Sequence, residues 1–241
     1  MNAVEIKNLT FAYDSGKTVL RDISFEVQAG EILVVAGASG SGKTTLCRII
    51  CGVIPHAVKG SLSGQVTVMD IMPSEAGLPQ TSLHAGLVFQ DSDDQIICTT
   101  VEDELAFGLE NMCKPPDEIR CRVDELISEF GFIGMEHVNP ARLSGGQKKL
   151  LTIASVLASD PPVLVLDEPM SGLDAEGREL VSAVIRRQSI QGRTIIIVEH
   201  DLKLAMFADR WLLLGNGEAA ACGRPADLLP DKNLLMGLGL L

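Results

Sequence analysis

The chain has 241 residues, enough for one large α/β domain or two small ones, and 46% of them are hydrophobic, which supplies a core. Charged residues at 22% argue against wholesale disorder, and a formal net charge of −12 argues against nucleic acid as the main partner, because a polyanion is held by basic side chains that replace its counterions. No run approaches the roughly 20 consecutive apolar residues that span a bilayer, and the N-terminus lacks a charged region followed by an apolar one, so the expectation is a cytoplasmic protein that reaches a membrane only through a partner.

In chain order, "VEIKNLTFAY" and "VLRDISFEV" alternate apolar and polar side chains around the turn "DSGK", the pattern of two antiparallel strands. "EILVVAG" (31–37) is an unbroken apolar run ending in glycine, as in a strand buried on both faces. "TTLCRIICGVI" puts Leu46, Ile49, Ile50 and Val53 at helical spacing. "GQVTVMD" and "HAGLVFQ" read as further strands, the second running to Gln90.

From Asp91 the pattern turns helical. Thr100 is a candidate N-cap with Asp103 three residues on. A second helix has Pro116 in its first turn, Ile119, Val123, Leu126, Ile127 and Phe130 on one face, and Gly131 as its stop. A third is expected from Ser144 to Leu157. "PVLVLDEP" and "RTIIIVEH" are buried-strand runs separated by the amphipathic "GRELVSAVIRRQ", and "RWLLLGNGEAAACG" reads as a hairpin. Alternating strands and helices with apolar strands imply an α/β fold with a mostly parallel sheet covered on both faces, plus a helical insertion and an antiparallel N-terminal layer.

Gly37, Ala38, Ser39, Gly40, Ser41, Gly42, Lys43 and Thr44 match G-x-x-x-x-G-K-[ST] between an expected strand and an expected helix. In that setting successive backbone N–H groups converge on a phosphate, Lys43 bridges the β- and γ-phosphates, and Thr44 ligates Mg²⁺. A chance glycine-rich turn is the competing reading, and the strand–helix context weighs against it. "VLVLDE" then sets Asp167 and Glu168 at a strand's C-terminal end, where Asp167 would hold Mg²⁺ through water and Glu168 would orient or deprotonate an attacking water. A salt-bridged surface glutamate is the bland alternative for Glu168. His200 and Gln90 also close strand-like runs, at the edge where open α/β sheets bind ligands. Tyr13, the only tyrosine, could stack on an adenine or merely pack in its hairpin; Trp211 is assigned to the core. Cys47 and Cys51 are four apart on a helix, but no His or Asp nearby completes a metal set, so buried thiols are expected.

A second glycine turn, "LSGGQ" at Leu143, Ser144, Gly145, Gly146 and Gln147, precedes a helix, again a geometry suited to an anion. With "SGLD" at Ser171, Gly172, Leu173 and Asp174, the full ordered set resembles the ATP-binding cassette (ABC) ATPase family over essentially the whole chain. The resemblance implies a P-loop NTPase (RecA-like) core with its antiparallel β layer over 1–90 and 159–241, and a helical subdomain with the signature turn over 91–158. It implies that ATP is bound by Tyr13, the Walker A residues 37–44 and Thr45. Mg²⁺ falls to Thr44, Gln90 and Asp167; catalysis to Glu168, His200 and Gln90; and dimer contact to the D-loop, 171–174. In this family two cassettes dimerise head to tail, so Ser144, Gly145, Gly146 and Gln147 would act in trans on the ATP of a second ABC ATPase subunit, identical or related.

"VFQDSDDQIICTTVEDELAFGLEN" and "GVIPHAVKGSLSGQVTV" further resemble energy-coupling factor (ECF) and cobalt/nickel importer ATPases, with Ser92 where that group has proline. This implies import of a vitamin or transition-metal ion with a transmembrane coupling protein and a membrane substrate-binding protein. Asp93, Asp94 and Gln95 would then face the coupling protein, although a solvated acidic loop would look the same in sequence. The alternative is a soluble ABC ATPase with no transport role, such as an iron–sulfur assembly factor.

Overall fold

The computed structural model describes residues 1–241. The elements, in order, are β1 (Asn2–Tyr13), β2 (Thr18–Gln28), β3 (Ile32–Ala36), α1 (Lys43–Ile50), α2 (Val53–His56), β4 (Gly60–Val68), α3 (Pro73–Ala76), α4 (Leu78–Thr81) and β5 (Ala85–Val88). Then come α5 (Val101–Asn111), α6 (Pro116–Phe130), α7 (Gly145–Ala158), β6 (Val163–Asp167), α8 (Ala175–Ile190), β7 (Thr194–Glu199), β8 (Arg210–Gly215), β9 (Glu218–Gly223), α9 (Pro225–Leu228) and α10 (Lys232–Gly237). They fall into two compact units. The first comprises Met1–Leu87, Pro162–Glu168 and Arg187–Leu241; the second comprises Val88–Pro161 and Pro169–Arg186.

In the first unit a six-stranded sheet has the order β5-β6-β7-β3-β8-β9. β3 runs parallel to β7 and β8, and β6 parallel to β7. Every residue of β3, β6 and β7 is buried, which is why these strands are unbroken apolar runs rather than alternating ones. β9 returns antiparallel to β8 through Asn216 and Gly217, both at positive φ, the two-residue turn whose twist matches the strands it joins. A second sheet, β2-β1-β4, is antiparallel. Leu46, Ile49 and Ile50 of α1 share one core with Val4, Ile6 and Phe11 of β1 and with Val35, Val165 and Ile196 of the parallel sheet. Each such side chain, fully buried, stabilises the fold by roughly 1.5–3 kcal/mol.

Three local expectations are corrected. The helix after Lys43 stops at Ile50 instead of running past Val53, because Gly52 takes φ +71° and turns the chain. The antiparallel layer is a three-stranded sheet, since β4 pairs with the far edge of β1. β5 ends at Val88, so Gln90 lies two residues beyond the strand rather than closing it.

In the second unit α5, α6 and α7 pack on one another. Thr100 caps α5 by accepting from the Asp103 N–H, and α6 opens on Pro116 and ends at Gly131 with φ +77°. The buried faces are Leu105 and Leu109 of α5, Val123, Leu126, Ile127 and Phe130 of α6, and Leu150, Leu151, Ile153, Ala154 and Leu157 of α7.

Trp211, in β8, is fully buried and donates its indole N–H to the Ala205 carbonyl at 2.9 Å. Trp211→Phe removes that bond and leaves a small void, and should lower stability by about 1–3 kcal/mol. Urea unfolding followed by far-UV circular dichroism would measure it.

Candidate active site

The turn between β3 and α1 occupies residues 37–42. Gly42 caps α1 with φ +105°, no side chain caps this helix end, and its first turn holds no acid. The first N–H groups of a helix have no intrahelical acceptor, and the helix dipole is positive there, so the turn is a place for an anion. Ser41 Oγ is buried in the turn without a hydrogen-bond partner. Lys43 is only 6% exposed, and its Nζ donates to the carbonyls of Gly37 at 2.8 Å and Ala38 at 3.0 Å. Burial pulls the pKa of Lys43 down, and the nearby charges of Glu168 and Asp167 offset part of that shift.

Asp167 ends β6 and lies opposite Val198 of β7. It is 5% exposed, and its Oδ1 has no hydrogen-bond partner. Burial pushes its carboxyl pKa up; a side-chain hydrogen bond from Thr44 opposes this, and the charge of Glu168 adds to it. An unsatisfied buried carboxylate oxygen beside a hydroxyl is a donor set that fits a hard divalent cation.

Glu168 has φ +46°, a left-handed conformation that costs a residue with a Cβ about 1–2 kcal/mol. Its N–H is held by the Val198 carbonyl at 3.1 Å. That twist takes the chain out of the strand directly after Asp167. The carboxylate of Glu168 lies 3.7 Å from Nδ1 of His200, which follows β7 and is exposed. Tyr13 is half-buried: its hydroxyl is 3.0 Å from Thr45 Oγ1, and its ring meets Phe11 edge-on with centroids 4.9 Å apart. The first unit thus places the 37–45 turn, Asp167, Glu168 and His200 at or just after the ends of β3, β6 and β7, with Tyr13 of the antiparallel sheet against Thr45.

The second unit gathers the other residues. Ser144 is the N-cap of α7 in a reciprocal box: its Oγ accepts from the Gln147 N–H at 3.2 Å, and Gln147 Oε1 accepts from the Ser144 N–H at 2.9 Å. Asp174 Oδ1 accepts from the Gly177 N–H at 2.8 Å at the start of α8. A Cβ on Gly146 would stand 3.1 Å from the Gly177 Cα, and one on Gly145 would touch Leu173. The "SGLD" turn is therefore packed directly against the "LSGGQ" turn, and glycine at 146 is what permits the approach. Gln90 is exposed. Asp93 pairs with Lys148 at 2.6 Å, Gln95 Oε1 accepts from the Phe89 N–H at 2.9 Å, and Asp94 is exposed.

The sequence profile of the ABC transporter family matches residues 20–171. The chain belongs to the ABC transporter family, whose cassettes are ATPases. It is 39% identical over 240 residues to the energy-coupling factor transporter ATP-binding protein EcfA1 of Streptococcus thermophilus, covering 98% of this chain and 85% of that one. The structure of cbiO1 from Clostridium perfringens, part of the ABC transporter complex cbiONQ, superposes with a TM-score of 0.84 at 32% identity, over 99% of this cassette and 95% of cbiO1. The ATP-binding cassette MJ0796, in a dimeric post-hydrolysis state bound to ADP and Pi, superposes with a TM-score of 0.79 at 26% identity, over 92% of this cassette and 98% of that chain. Two other relatives are much longer: the cassette spans 38% and 42% of the length of putative ABC transporter ATP-binding proteins from Methanosarcina mazei and Caldanaerobacter subterraneus. No helix of the cassette is long and apolar enough to cross a membrane.

Sequence reasoning missed two groups. Lys149 is buried; the available signal was its place on the apolar stripe of Leu150, Ile153 and Leu157. Glu104, 4% exposed, accepts from the N–H groups of Ile97 and Cys98 at 3.0 and 2.9 Å, and nothing in the local pattern marked it.

Because burial raises the Asp167 pKa, the fold favours its neutral form, and ionisation costs stability that grows as the pH rises above the ordinary carboxyl value and is complete above the folded one. Asp167→Asn should therefore raise the Tm of the nucleotide-free cassette at pH 7. The gain should shrink as the pH falls towards the ordinary value of 3.8. Thermal melts across that range, without divalent cations, measure it.

Proposed function

We propose that this cassette is the ATP-hydrolysing subunit of an ECF-type ABC importer, peripheral on the cytoplasmic face of the membrane. ATP-driven closure of a dimer would be coupled to uptake of a vitamin or transition-metal ion through a transmembrane coupling protein and a membrane substrate-binding protein. The partner cassette is a second copy or a related chain. The observation that carries the catalytic half is the buried Asp167 carboxylate, one oxygen unsatisfied, beside Thr44, Lys43 and the uncapped start of α1. The transport half is supported by the EcfA1 and cbiO1 likenesses.

In this reading the N–H groups of 37–44 cradle the phosphates, and Lys43 exchanges its two carbonyl partners for the β- and γ-phosphate oxygens. Tyr13 stacks on the adenine. Thr44, Gln90 and, through water, Asp167 would hold Mg²⁺, which when bound would neutralise charge on the phosphates. Glu168 takes the proton of the attacking water, and its strained backbone aims the carboxylate out of the sheet. His200, beside Glu168, orients that carboxylate and the γ-phosphate. Ser144, Gly145, Gly146 and Gln147 of the other cassette seal the nucleotide, and Ser171–Asp174 pack across the dimer. Asp93, Asp94 and Gln95 meet the coupling protein, where Lys148 competes with its basic groups for Asp93.

Glu168→Gln should bind ATP with near-native affinity, accumulate as a closed dimer in size-exclusion chromatography and lose at least about 100-fold in turnover. Full turnover in that variant would remove Glu168 from catalysis. Lys43→Ala should weaken ATP binding by about 10-fold or more, read by isothermal titration. A membrane protein that co-purifies with the cassette from detergent extracts supports the importer; a cassette that never associates with one points to the soluble, non-transport alternative.

A further inference from the structure

Lys149 has no part in the roles above, yet its environment is unusual. It sits one turn into the signature helix and is 3% exposed, although lysine is among the residues least often buried. Its Nζ donates to the carbonyls of Phe89 at 3.0 Å and Gln90 at 2.7 Å. These are charge-assisted bonds from one ammonium to two consecutive main-chain oxygens, inside the same compact unit. Two consecutive residues on a helix point about 100° apart, so Lys148 reaches the surface instead and pairs with Asp93. That outer pair is solvent-screened and weak; the inner one is not. Gln95, accepting from the Phe89 N–H, closes the loop from its other side.

We propose that Lys149 is a positioning residue for Gln90. By clamping the Gln90 backbone to α7, it makes the turn that seals one ATP and the glutamine that serves the other a single mechanical piece. Arrival of nucleotide against Ser144 then carries Gln90 with it. This rests on the composite-site reading proposed above, and on Gln90 acting at the chain's own nucleotide.

The test is a double-mutant cycle on the purified full chain, reading kcat and KM for ATP. Lys149→Met keeps the apolar stem and removes the donors. It should lower kcat by about 10-fold or more with KM for ATP held within about twofold, and Lys149→Arg should restore most of the loss. In a Gln90→Ala background Lys149→Met should have no further effect, because its action runs through Gln90. Hydrogen exchange of the 90–95 amides should also quicken in Lys149→Met, while that of 43–50 stays unchanged. A kcat loss that multiplies undiminished onto Gln90→Ala, or unchanged exchange at 90–95, overturns the proposal and leaves the ATPase reading intact. A Gln90→Ala variant with native kcat overturns both this proposal and the role given to Gln90. If Lys149→Met does not fold, Lys149→Leu, which also removes the donors, carries the same cycle.

Discussion

An aspartate carboxylate at the end of a strand buried on both faces is the constraint around which the first unit is organised. Asp167 is desolvated, and one of its oxygens has no protein partner. Such a group is tolerable only with compensating charge within a few ångströms. The chain itself supplies a hydrogen bond from Thr44 and the positive charges of Arg48 and Lys43, all on α1. The strand order is consistent with this: β6 and β3 both run parallel to β7, which lies between them, so the two strands end on the same side. The residue after β7 is His200, and it comes to lie 3.7 Å from the Glu168 carboxylate. The nucleotide-free site carries unfavourable electrostatics in both directions. The Lys43 ammonium and the Asp167 carboxyl are each pushed towards their neutral forms by burial, and a phosphate with its cation relieves both at once.

The second unit solves a different problem, holding two short turns rigid without large side chains. The Ser144–Gln147 box and the Asp174 cap fix the starts of α7 and α8. Gly146 and Gly177 let the two helix starts touch through their backbones. A Cβ at 146 would stand 3.1 Å from the Gly177 Cα, tight enough that the start of α8 would have to give by a few tenths of an ångström, which is a packing reason for the second glycine of "LSGGQ" beside any contact it makes with a ligand. The same helix reaches the 89–90 carbonyls through Lys149. Signature turn, D-loop and Gln90 backbone are thus joined by direct contacts in one compact body.

What the sequence made legible was local or periodic. The 37–44 turn is written in contiguous residues, and the buried strands in runs of Val, Ile and Leu. The Thr100 cap and the Asn216-Gly217 hairpin needed no tertiary information. What stayed hidden depended on long-range pairing. β4 reads as one more strand, and only its partner β1, some sixty residues earlier, assigns it to the antiparallel sheet. Gln90 looked like a strand terminus because the apolar run "AGLVF" leads straight into it, but β5 has ended before Phe89. The break at Gly52 lost out to an apolar stripe that continued in sequence across it. Lys149 was hidden because a charge is presumed solvated until a carbonyl pair is found waiting for it.

The two anion-competent turns are not equivalent, and the difference bears on how the proposed dimer could be reversible. α1 has no side-chain cap, so all its first-turn N–H groups, its dipole and a buried ammonium act on one ligand. α7 has already committed the Gln147 N–H to Ser144 Oγ and the Ser144 N–H to Gln147 Oε1, and the box leaves the Gly145 and Gly146 N–H groups outside it. One turn is built to hold a nucleotide by itself; the other has only a few donors to add. In the proposed dimer, a nucleotide seated first on the strong turn and then covered by the weak one would make closure depend on the γ-phosphate as the shared ligand. Cleavage of that phosphate would leave the weak turn too few donors to hold the two cassettes together, and the strong turn would retain the diphosphate as they part.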